Sequence, residues 1–182
     1  MEIEPTSLPG VYVLSATLHA DARGHFWEYF SPAEFARLGL PTAFPLEGAS
    51  VSQPNVLRGL HYQIDPPQGK LVWATSGEIF DVAVDLRRSS AHFGQWTAMR
   101  LRAGDGRALW IPPGFAHGFL ALSDGAHVHY KFSAPYERAA SRAVRWDDQT
   151  IGIGWPLDPS EVPILSPGDA TAPLLQNAEC YA

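Results

Sequence analysis

The sequence LRGLHYQIDPPQGKLV at residues 57–72 predicts two β-strands joined by a turn, because two apolar runs flank a pair of prolines and a glycine. The strands are expected over 57–63 and 70–75. In a regular strand, Arg58 and His61 would point to opposite faces of the sheet. Gly59 lies between them and is a natural position for a β-bulge that re-aims one of the two side chains.

The same stretch places an imidazole and two cations around one small space. His61 can exchange a proton near neutral pH, while Arg58 and Lys70 can stabilise negative charge. These residue types predict proton transfer on an anionic or carbonyl substrate. A histidine that is only packed or solvated in a strand is the alternative at this point.

Composition restricts the class of protein. The chain has 182 residues, 46% of them hydrophobic and 18% charged, which predicts one globular domain over 1–182. The formal net charge of −6 argues against broad nucleic-acid binding. The only cysteine is Cys180, so neither a disulfide framework nor a cysteine metal site is expected. The acidic start MEIEPTS is not a signal peptide, and no apolar run has the length of a membrane span, so a cytoplasmic protein without membrane contacts is expected.

Sixteen glycines and sixteen prolines divide the chain into many short segments, which favours an all-β sandwich or barrel. Apart from the two strands above, alternating or continuous apolar residues predict strands over 11–18, 25–30, 79–86, 96–101, 108–111 and 126–132. The strand over 25–30 has apolar residues on both faces, so either a second subunit covers it or it lies inside the core. From residue 134 the alternation is lost, and an irregular C-terminal tail is expected.

One short helix is marked near the N-terminal end. Ser31 and Glu34 have the spacing of a capping box, and Pro32 suits the first helical position. Gly39 is expected to end this helix after about two turns.

Two of the predicted strands carry polar residues of interest. Asp81 and Asp85 share one face of 79–86 and are interpreted as a polar face or as partners of Arg87 and Arg88 rather than as an acid–base pair. In 126–132, alternation points Tyr130 inward, where its hydroxyl needs a partner.

The inward phenol suits either a core tyrosine or a proton-transfer site. His127 and His129 point to the other face of the same strand. They are interpreted as a solvated face rather than a metal-binding pair.

The segment PPGFAHGF at residues 112–119 resembles the second signature of the cupins, a Pro-x-Gly-x-x-His turn. The first cupin signature supplies two metal-binding histidines, but this chain has His61-Tyr62-Gln63 in that place. A metal needs three or four convergent ligands, so no metal and no other cofactor are expected.

Longer motifs lie in residues 21–28, 57–63, 68–72, 81–87, 113–119, 130–131, 146–148, 153–156 and 165–169. Together they resemble the dTDP-4-dehydrorhamnose 3,5-epimerases, metal-free cupins of deoxysugar biosynthesis. The resemblance implies a cupin-type jelly roll, an antiparallel sandwich or barrel with a short N-terminal helix and an irregular C-terminal tail. It also implies an isomerase of dTDP-rhamnose biosynthesis.

The resemblance also implies the catalytic roles. His61 would be the general base that removes a proton next to the C4 ketone of the sugar, and Asp169 would orient it. Tyr130 would be the acid on the opposite face of the ring. Lys70 would stabilise the enolate oxygen.

A second set of residues would bind the substrate, a dTDP-linked 4-keto-6-deoxy sugar. The partner subunit of a homodimer, with a swapped N-terminal strand, would supply Arg23, Phe26 and Glu28. Arg58, His117 and Arg23 would hold the diphosphate. The remaining substrate-binding candidates are Ser50, Gln63 and Tyr136.

The predicted reaction inverts C3 and C5 of dTDP-4-dehydro-6-deoxyglucose to give dTDP-4-dehydrorhamnose. One stretch departs from the family, because residues 46–49 read LEGA where a Gln and an Asn usually contact the substrate. Inversion of a single centre, in an antibiotic or glycan pathway, is therefore an alternative. A metal-dependent cupin oxygenase and a non-catalytic sugar-binding cupin are the alternatives from other classes.

Overall fold

Two antiparallel sheets packed face to face form the body of the protein in the computed structural model, which describes residues 1–158 and 160–182. The strands are β1 (Glu2–Pro5), β2 (Tyr12–Ser15), β3 (His19–Asp21), β4 (Gly24–Phe26), β5 (Leu46–Ser52), β6 (Leu57–Gln63), β7 (Lys70–Ser76), β8 (Glu78–Asp85), β9 (Trp96–Arg102), β10 (Arg107–Ile111), β11 (Phe115–Ala121), β12 (Ala126–Phe132) and β13 (Ser141–Ala143). The helices are α1 (Pro32–Arg37) and α2 (Pro167–Ala170), with a 3₁₀ turn at Leu175–Asn177.

One sheet has six strands in the order β1-β2-β10-β7-β12-β5, and the other has five in the order β13-β6-β11-β8-β9. β3 and β4 form a separate hairpin. The all-β sandwich prediction is therefore confirmed. Among the described residues, no helix has the length and hydropathy of a membrane span.

The main core lies between the two sheets. Val72, Leu109 and Val128 of the six-stranded sheet pack there against Ile79 and Phe119 of the five-stranded sheet. The inward positions of β7, β8, β11 and β12 also include polar residues, namely Lys70, Asp81, His117 and Tyr130. The space between the sheets is therefore apolar in one part and polar in another.

The bulge predicted at Gly59 is confirmed. β6 and β11 pair His61 with His117 and Arg58 with Phe119, so β6 has one more residue than β11 over this interval. Gly59 has a φ of +113°, which a residue with a side chain rarely adopts. A Cβ at Gly59 would also lie 2.7 Å from the Cα of Gly118. Glycine is thus required for the two strands to approach at the bulge.

The predicted strands 57–63 and 126–132 match β6 and β12. Those over 70–75, 96–101 and 108–111 differ from β7, β9 and β10 by one residue at one end, and that over 79–86 differs from β8 by one residue at each end. The strand predicted over 11–18 covers only β2. Strands β1, β3, β5, β11 and β13 were not predicted from the sequence. β1 is a four-residue edge strand whose residues are mostly exposed, so it lacks a buried apolar face that a pattern could show.

The strand predicted over 25–30 is wrong beyond Phe26, where β4 ends. Tyr29 stacks on Trp73 with ring centroids 4.9 Å apart, and Phe30 meets Phe35 edge to face at 4.9 Å. Through these contacts the segment after β4 packs on the outer face of the six-stranded sheet and does not pair as a strand. The aromatic rings are thus covered by other parts of the same chain.

The detail of a short helix at the N-terminal end of the fold is not borne out, because four strands precede α1. Within the predicted segment, Ser31 is the N-cap residue and Pro32 opens the helix. The capping box is wrong, however, since the Ser31 side chain makes no capping hydrogen bond. What fixes this six-residue helix is Phe35, which is fully buried against Phe30 and Phe44.

The C-terminal tail is irregular as predicted, with only β13, α2 and one 3₁₀ turn among its described residues. The buried carboxylate of Asp148 organises it by accepting hydrogen bonds from the backbone amides of Thr150, Ile151 and Leu175. The tail packs Ile151 and Leu175 against Val82 on the outer face of the five-stranded sheet.

Candidate active site

A pocket of about 460 Å³ lies between the two sheets at the polar part of their facing surfaces. The sequence-predicted residues that line it are Ser50, Arg58, His61, Gln63, Lys70, His117, Tyr130, Tyr136 and Asp169. The structure therefore gathers residues from β5, β6, β7, β11, β12 and the tail at one place.

His61 and Asp169 form a hydrogen-bonded pair, with 2.5 Å between His61 Nε2 and Asp169 Oδ1. Half of the His61 side chain is exposed in the pocket, whereas Asp169 is buried behind it. Burial alone would raise the pKa of Asp169, but the hydrogen bond and charge of His61 outweigh it and hold that pKa below its ordinary value. Asp169 is therefore an anion that can fix the imidazole ring and stabilise its protonated form.

The local fold of the tail explains how Asp169 reaches β6. Ile164 exchanges backbone hydrogen bonds with Asn55 and Leu57, so the tail runs beside the start of β6. The Ser166 hydroxyl then caps α2 by accepting from the Asp169 amide at 3.1 Å. This capped turn places the Asp169 carboxylate at His61.

Lys70 begins β7 and is almost fully buried, at 7% exposure. Its Nζ donates to the backbone carbonyl of His61 at 3.0 Å, which holds the cation beside the predicted base. Burial lowers the pKa of Lys70 to about 8, and the negative charge of Asp81 opposes this shift. Lys70 is thus an almost fully buried group that is charged at neutral pH.

Asp81 was not predicted as a site residue, and its interpretation as a polar face or an arginine partner is wrong. It is fully buried on β8, and its Oδ1 accepts from His117 Nε2 at 2.7 Å. Its other oxygen, Oδ2, has no hydrogen-bond partner among the described residues. A signal was available, because Asp81 shares a face of its strand with the apolar residues Ile79 and Ala83, and that face points into the core.

The second aspartate of that strand behaves as predicted. The Asp85 carboxylate binds the Arg87 guanidinium, with 2.6 Å between Oδ2 and the Nη2 atom. This ion pair is structural and lies outside the pocket lining.

His117 lies in the pocket wall and is buried at 5% exposure. Burial lowers its pKa, and the contact with Asp81 opposes that change only in part. In the neutral ring, Nε2 donates to Asp81 and Nδ1 remains as a hydrogen-bond acceptor. The His117 ring therefore suits a hydrogen bond to a ligand better than an ion pair with it.

Tyr130 points inward as predicted, from β12 of the six-stranded sheet. Its hydroxyl lies 2.9 Å from the Ser50 hydroxyl on the neighbouring β5, which supplies the required partner. Burial raises the pKa of Tyr130 above the ordinary range of a phenol. Tyr130 therefore carries its proton throughout the neutral range.

Arg58 is held at the pocket by two hydrogen bonds to β5. Its Nε donates to the Ser52 hydroxyl and its Nη2 to the Val51 carbonyl, each at 3.0 Å. Among the described residues it makes no salt bridge with a carboxylate, so its charge is available to an anionic ligand.

Gln63 lines the pocket, but its amide group is committed to the protein backbone. Its Nε2 donates to the carbonyls of Pro66 and Pro135, and its Oε1 accepts from the Glu137 amide. Tyr136 lies between Pro135 and Glu137 in the tail and is more than half exposed. Gln68 lines the same pocket and was not predicted as a site residue, although it lies in the motif at residues 68–72.

Arg23, Phe26 and Glu28 are not brought to this pocket by their own chain. Arg23 pairs with Asp21 on the exposed β3–β4 hairpin, with 2.6 Å between Nη2 and Oδ2. Phe26 is 65% exposed, an unusual environment for a large apolar ring.

The residues that the structure describes contain no group of three or more His, Cys, Asp or Glu side chains placed to hold a metal ion. The two outward histidines of β12 are not a ligand pair: His127 is exposed and His129 stacks on Trp73 at 5.8 Å. The predicted solvated face therefore holds for His127, whereas His129 packs against an aromatic ring.

The family whose sequence profile matches this chain is described as dTDP-4-dehydrorhamnose 3,5-epimerase, and the match covers residues 5–177. The chain belongs to this epimerase family. Among its relatives, the dTDP-4-dehydrorhamnose 3,5-epimerase of Methanothermobacter thermautotrophicus is 46% identical over 94% of this chain and 94% of that protein. The one from Salmonella typhimurium is 44% identical over 98% of this chain and 97% of that protein.

A solved structure supports the same assignment. The dTDP-6-deoxy-D-glucose-3,5-epimerase of Legionella pneumophila, in complex with dTDP-4-keto-L-rhamnose, is 41% identical and superposes with a TM-score of 0.92. The superposition covers 97% of this chain and 93% of that chain. The jelly-roll prediction is confirmed by this agreement.

Within the epimerase family, the unusual residues 46–49 of this member can now be placed. They form the first part of β5, where Gly48 pairs with Tyr130 and Glu47 with Lys131. Glu47 and Lys131 also form a salt bridge. A Cβ at Gly48 would lie 3.5 Å from the Phe132 ring, which is an ordinary van der Waals contact.

Proposed function

We propose that this member of the epimerase family inverts C3 and C5 of dTDP-4-dehydro-6-deoxyglucose and releases dTDP-4-dehydrorhamnose. The observation that carries the proposal is the placement of a base and an acid on opposite walls of one pocket. His61 belongs to the five-stranded sheet, and Tyr130 belongs to the six-stranded sheet that faces it. Inversion of a carbon needs a proton removed from one face and another delivered to the opposite face.

His61 is the proposed base. Its ring is accessible in the pocket and its Nε2 is bound to Asp169, so the other ring nitrogen, Nδ1, takes the proton from C3 or C5. The C4 ketone makes both of these protons acidic, because the resulting carbanion is delocalised as an enolate. Asp169 stabilises the imidazolium that forms.

Lys70 is the proposed partner of the enolate oxygen. A cation in a buried site stabilises developing negative charge more strongly than one in water, because the surroundings are less polar. Asp81 contributes by favouring the charged form of Lys70, as the direction of its effect on the Lys70 pKa indicates.

Tyr130 is the proposed acid. Its buried phenol keeps its proton, and the Ser50 hydroxyl is placed to stabilise the phenolate oxygen once that proton has been given to the enolate carbon. Return of a proton from Tyr130 rather than from His61 produces the inverted centre.

The proposed substrate contacts follow the charges. Arg58 binds the diphosphate, because its guanidinium lines the pocket and makes no salt bridge among the described residues, while neutral His117 and Ser50 bind the sugar. Tyr136 forms part of the pocket wall. The proposed assignment of His117 differs from the sequence expectation, since burial disfavours the charge that a diphosphate contact would use.

We also propose that residues 1–182 form a single domain, that the protein is cytoplasmic and that it acts as a homodimer. In the dimer, the exposed β3–β4 hairpin would enter the partner's pocket with Arg23, Phe26 and Glu28. The exposure of Phe26 and the outer edge of β5, which pairs with no strand among the described residues, support this arrangement.

Proton exchange in D₂O tests the proposed reaction. NMR of dTDP-4-dehydro-6-deoxyglucose with the wild-type protein should show exchange at both C3 and C5, together with dTDP-4-dehydrorhamnose. His61→Asn should lower both exchange rates by about 10²–10⁴. His127→Asn on the exposed outer face is the matched control and should behave as wild type.

Exchange at a single carbon would assign the protein to the single-centre epimerases instead. Exchange at the wild-type rate in His61→Asn would show that another group is the base. No exchange in the wild-type protein would overturn the proposed function.

A further inference from the structure

A short segment after β12 is held by two buried glutamines. Residues 133–137, here called the Tyr136 strap, form no helix or strand, so their backbone groups cannot be satisfied by a sheet ladder. The side chains of Gln63 and Gln68 supply partners instead. Both glutamines lie between His61 and Lys70 in the chain, in and just after β6.

Gln63 contacts the strap on both sides of Tyr136. Its Nε2 donates to the Pro135 carbonyl at 3.1 Å, and its Oε1 accepts from the Glu137 amide at 2.8 Å. The second Nε2 hydrogen goes to Pro66 at 2.7 Å. An amide group has two donor hydrogens, and both are therefore used inside the protein.

Gln68 and its neighbour hold the start of the strap. Gln68 Nε2 donates to the carbonyls of Ala134 at 2.8 Å and Pro135 at 3.3 Å. The Gly69 amide donates to the Ser133 hydroxyl at 2.7 Å, and the Ser133 amide donates to the Gly69 carbonyl at 3.0 Å. Both glutamine side chains are buried, so water competes little for these bonds.

Tyr136 itself is not buried. It is 58% exposed and lines the pocket, although both of its neighbours in the chain are bound to glutamine side chains. Rigid backbone on either side of an exposed ring limits where that ring can go. The Tyr136 ring therefore loses less conformational entropy when a ligand binds, because folding has already restricted it.

We propose that Gln63 and Gln68 are positioning residues that fix the Tyr136 strap and thereby hold the Tyr136 ring as a preformed wall of the substrate pocket. This inference rests on the proposed function, since it takes the ligand of that wall to be the nucleotide sugar. Gln63 then acts through Tyr136 and makes no direct substrate contact, contrary to the sequence expectation.

Steady-state kinetics with dTDP-4-dehydro-6-deoxyglucose test the inference. Gln68→Met and Gln63→Met keep side-chain length and remove the amide. Each should raise KM about three- to tenfold, the value of one aromatic contact, with kcat within about twofold of wild type. Gln149→Met, at an exposed glutamine that bonds the Asp147 carbonyl, is the control and should leave KM unchanged.

The Tyr136→Ala background separates positioning from general structural damage. If the glutamines act through Tyr136, then Gln68→Met should not raise KM further once the ring is absent. Additive effects on KM would overturn the inference. So would a Gln68→Met variant that matches Gln149→Met, or one that loses kcat at unchanged KM.

Hydrogen exchange of the wild-type protein provides a test that does not depend on the folding of a variant. The Glu137 amide should exchange at least about tenfold more slowly than an unprotected amide, because it donates to buried Gln63. Exchange at the unprotected rate would overturn the inference. If wild type and Gln149→Met fail to turn over the substrate, the proposed function is wrong. The exchange rate of the Glu137 amide still tests whether Gln63 fixes the Tyr136 strap.

Discussion

Asp169 Oδ1 lies 2.5 Å from His61 Nε2, although 108 positions separate the two residues in the sequence. Asp169 is buried, and half of the His61 side chain faces the pocket. The carboxylate therefore holds the ring from a largely buried position at the border of the pocket. This geometry separates the two roles and makes them testable one at a time.

Asp169→Asn should lower kcat by about 10² or more and change KM by less than about threefold. Asparagine fills the same space but removes the charge that stabilises the imidazolium. Steady-state kinetics measure both constants, with Asp147→Asn at a surface ion pair as the control. A large rise in KM at normal kcat would instead make Asp169 a substrate contact.

The pH dependence of kcat/KM should reflect the protonation state of Lys70. Its pKa is lowered to about 8, so the free enzyme loses this cation as the pH rises through that value, and kcat/KM should fall on the alkaline side. Asp81 opposes the shift, so Asp81→Asn should lower the Lys70 pKa further. The alkaline limb of the kcat/KM profile should then move to lower pH.

Profiles of kcat/KM between about pH 6 and 9.5 for wild type and Asp81→Asn measure this effect. Glu47→Gln, which removes an exposed carboxylate from β5, is the control. An alkaline limb at the same pH in wild type and Asp81→Asn would contradict the coupling between Asp81 and Lys70.

Local patterns predicted many of the strands, but not all of them or their partners. The alternation in β12 is contained within seven residues, so its bounds and the inward direction of Tyr130 followed from the sequence. The bounds of β6 followed from its apolar residues and from the turn that ends it. The position of the bulge was also predictable, because Gly59 interrupts the seven residues of β6. By contrast, β5 has few of the β-branched and aromatic residues that mark a strand, and only its pairing with β12 defines it.

The site was predictable to the extent that motifs named its members. No spacing rule brings Asp169 to His61, and only the resemblance to a family did so. Asp81 was misinterpreted because its partner, His117, lies on another strand. Gln68 was missed because its hydrogen bonds go to the backbone of residues 134 and 135, which are far away in sequence.

The homodimer is tested by mass and by complementation. Sedimentation should give about twice the chain mass of 19.9 kDa. Arg23→Ala should be impaired at low substrate concentration if its guanidinium enters a partner's pocket. A fully active monomer would remove Arg23, Phe26 and Glu28 from the site.

Mixing Arg23→Ala with His61→Asn locates the hairpin more sharply. In a mixed dimer with exchanged hairpins, the pocket with intact His61 also receives an intact Arg23. Random pairing should then restore about a quarter of the wild-type activity. Activity that never exceeds the average of the two variants would show that Arg23 serves its own pocket or none.

Tyr130→Phe separates the two halves of the proposed inversion. The ring and its stacking on Phe132, at 5.7 Å between centroids, are kept, while the proton and the hydrogen bond to Ser50 are lost. His61 lies on the other sheet and is unaffected, so substrate protons should still exchange with D₂O. Inversion should fall by about 10²–10⁴, because the enolate is now reprotonated mainly from the His61 side.

Tyr12→Phe, on β2, is the control, and NMR follows exchange and product together. Loss of exchange and inversion in parallel would show that Tyr130 is needed before the enolate forms. Normal inversion would assign the proton donor to another group and contradict the proposed mechanism.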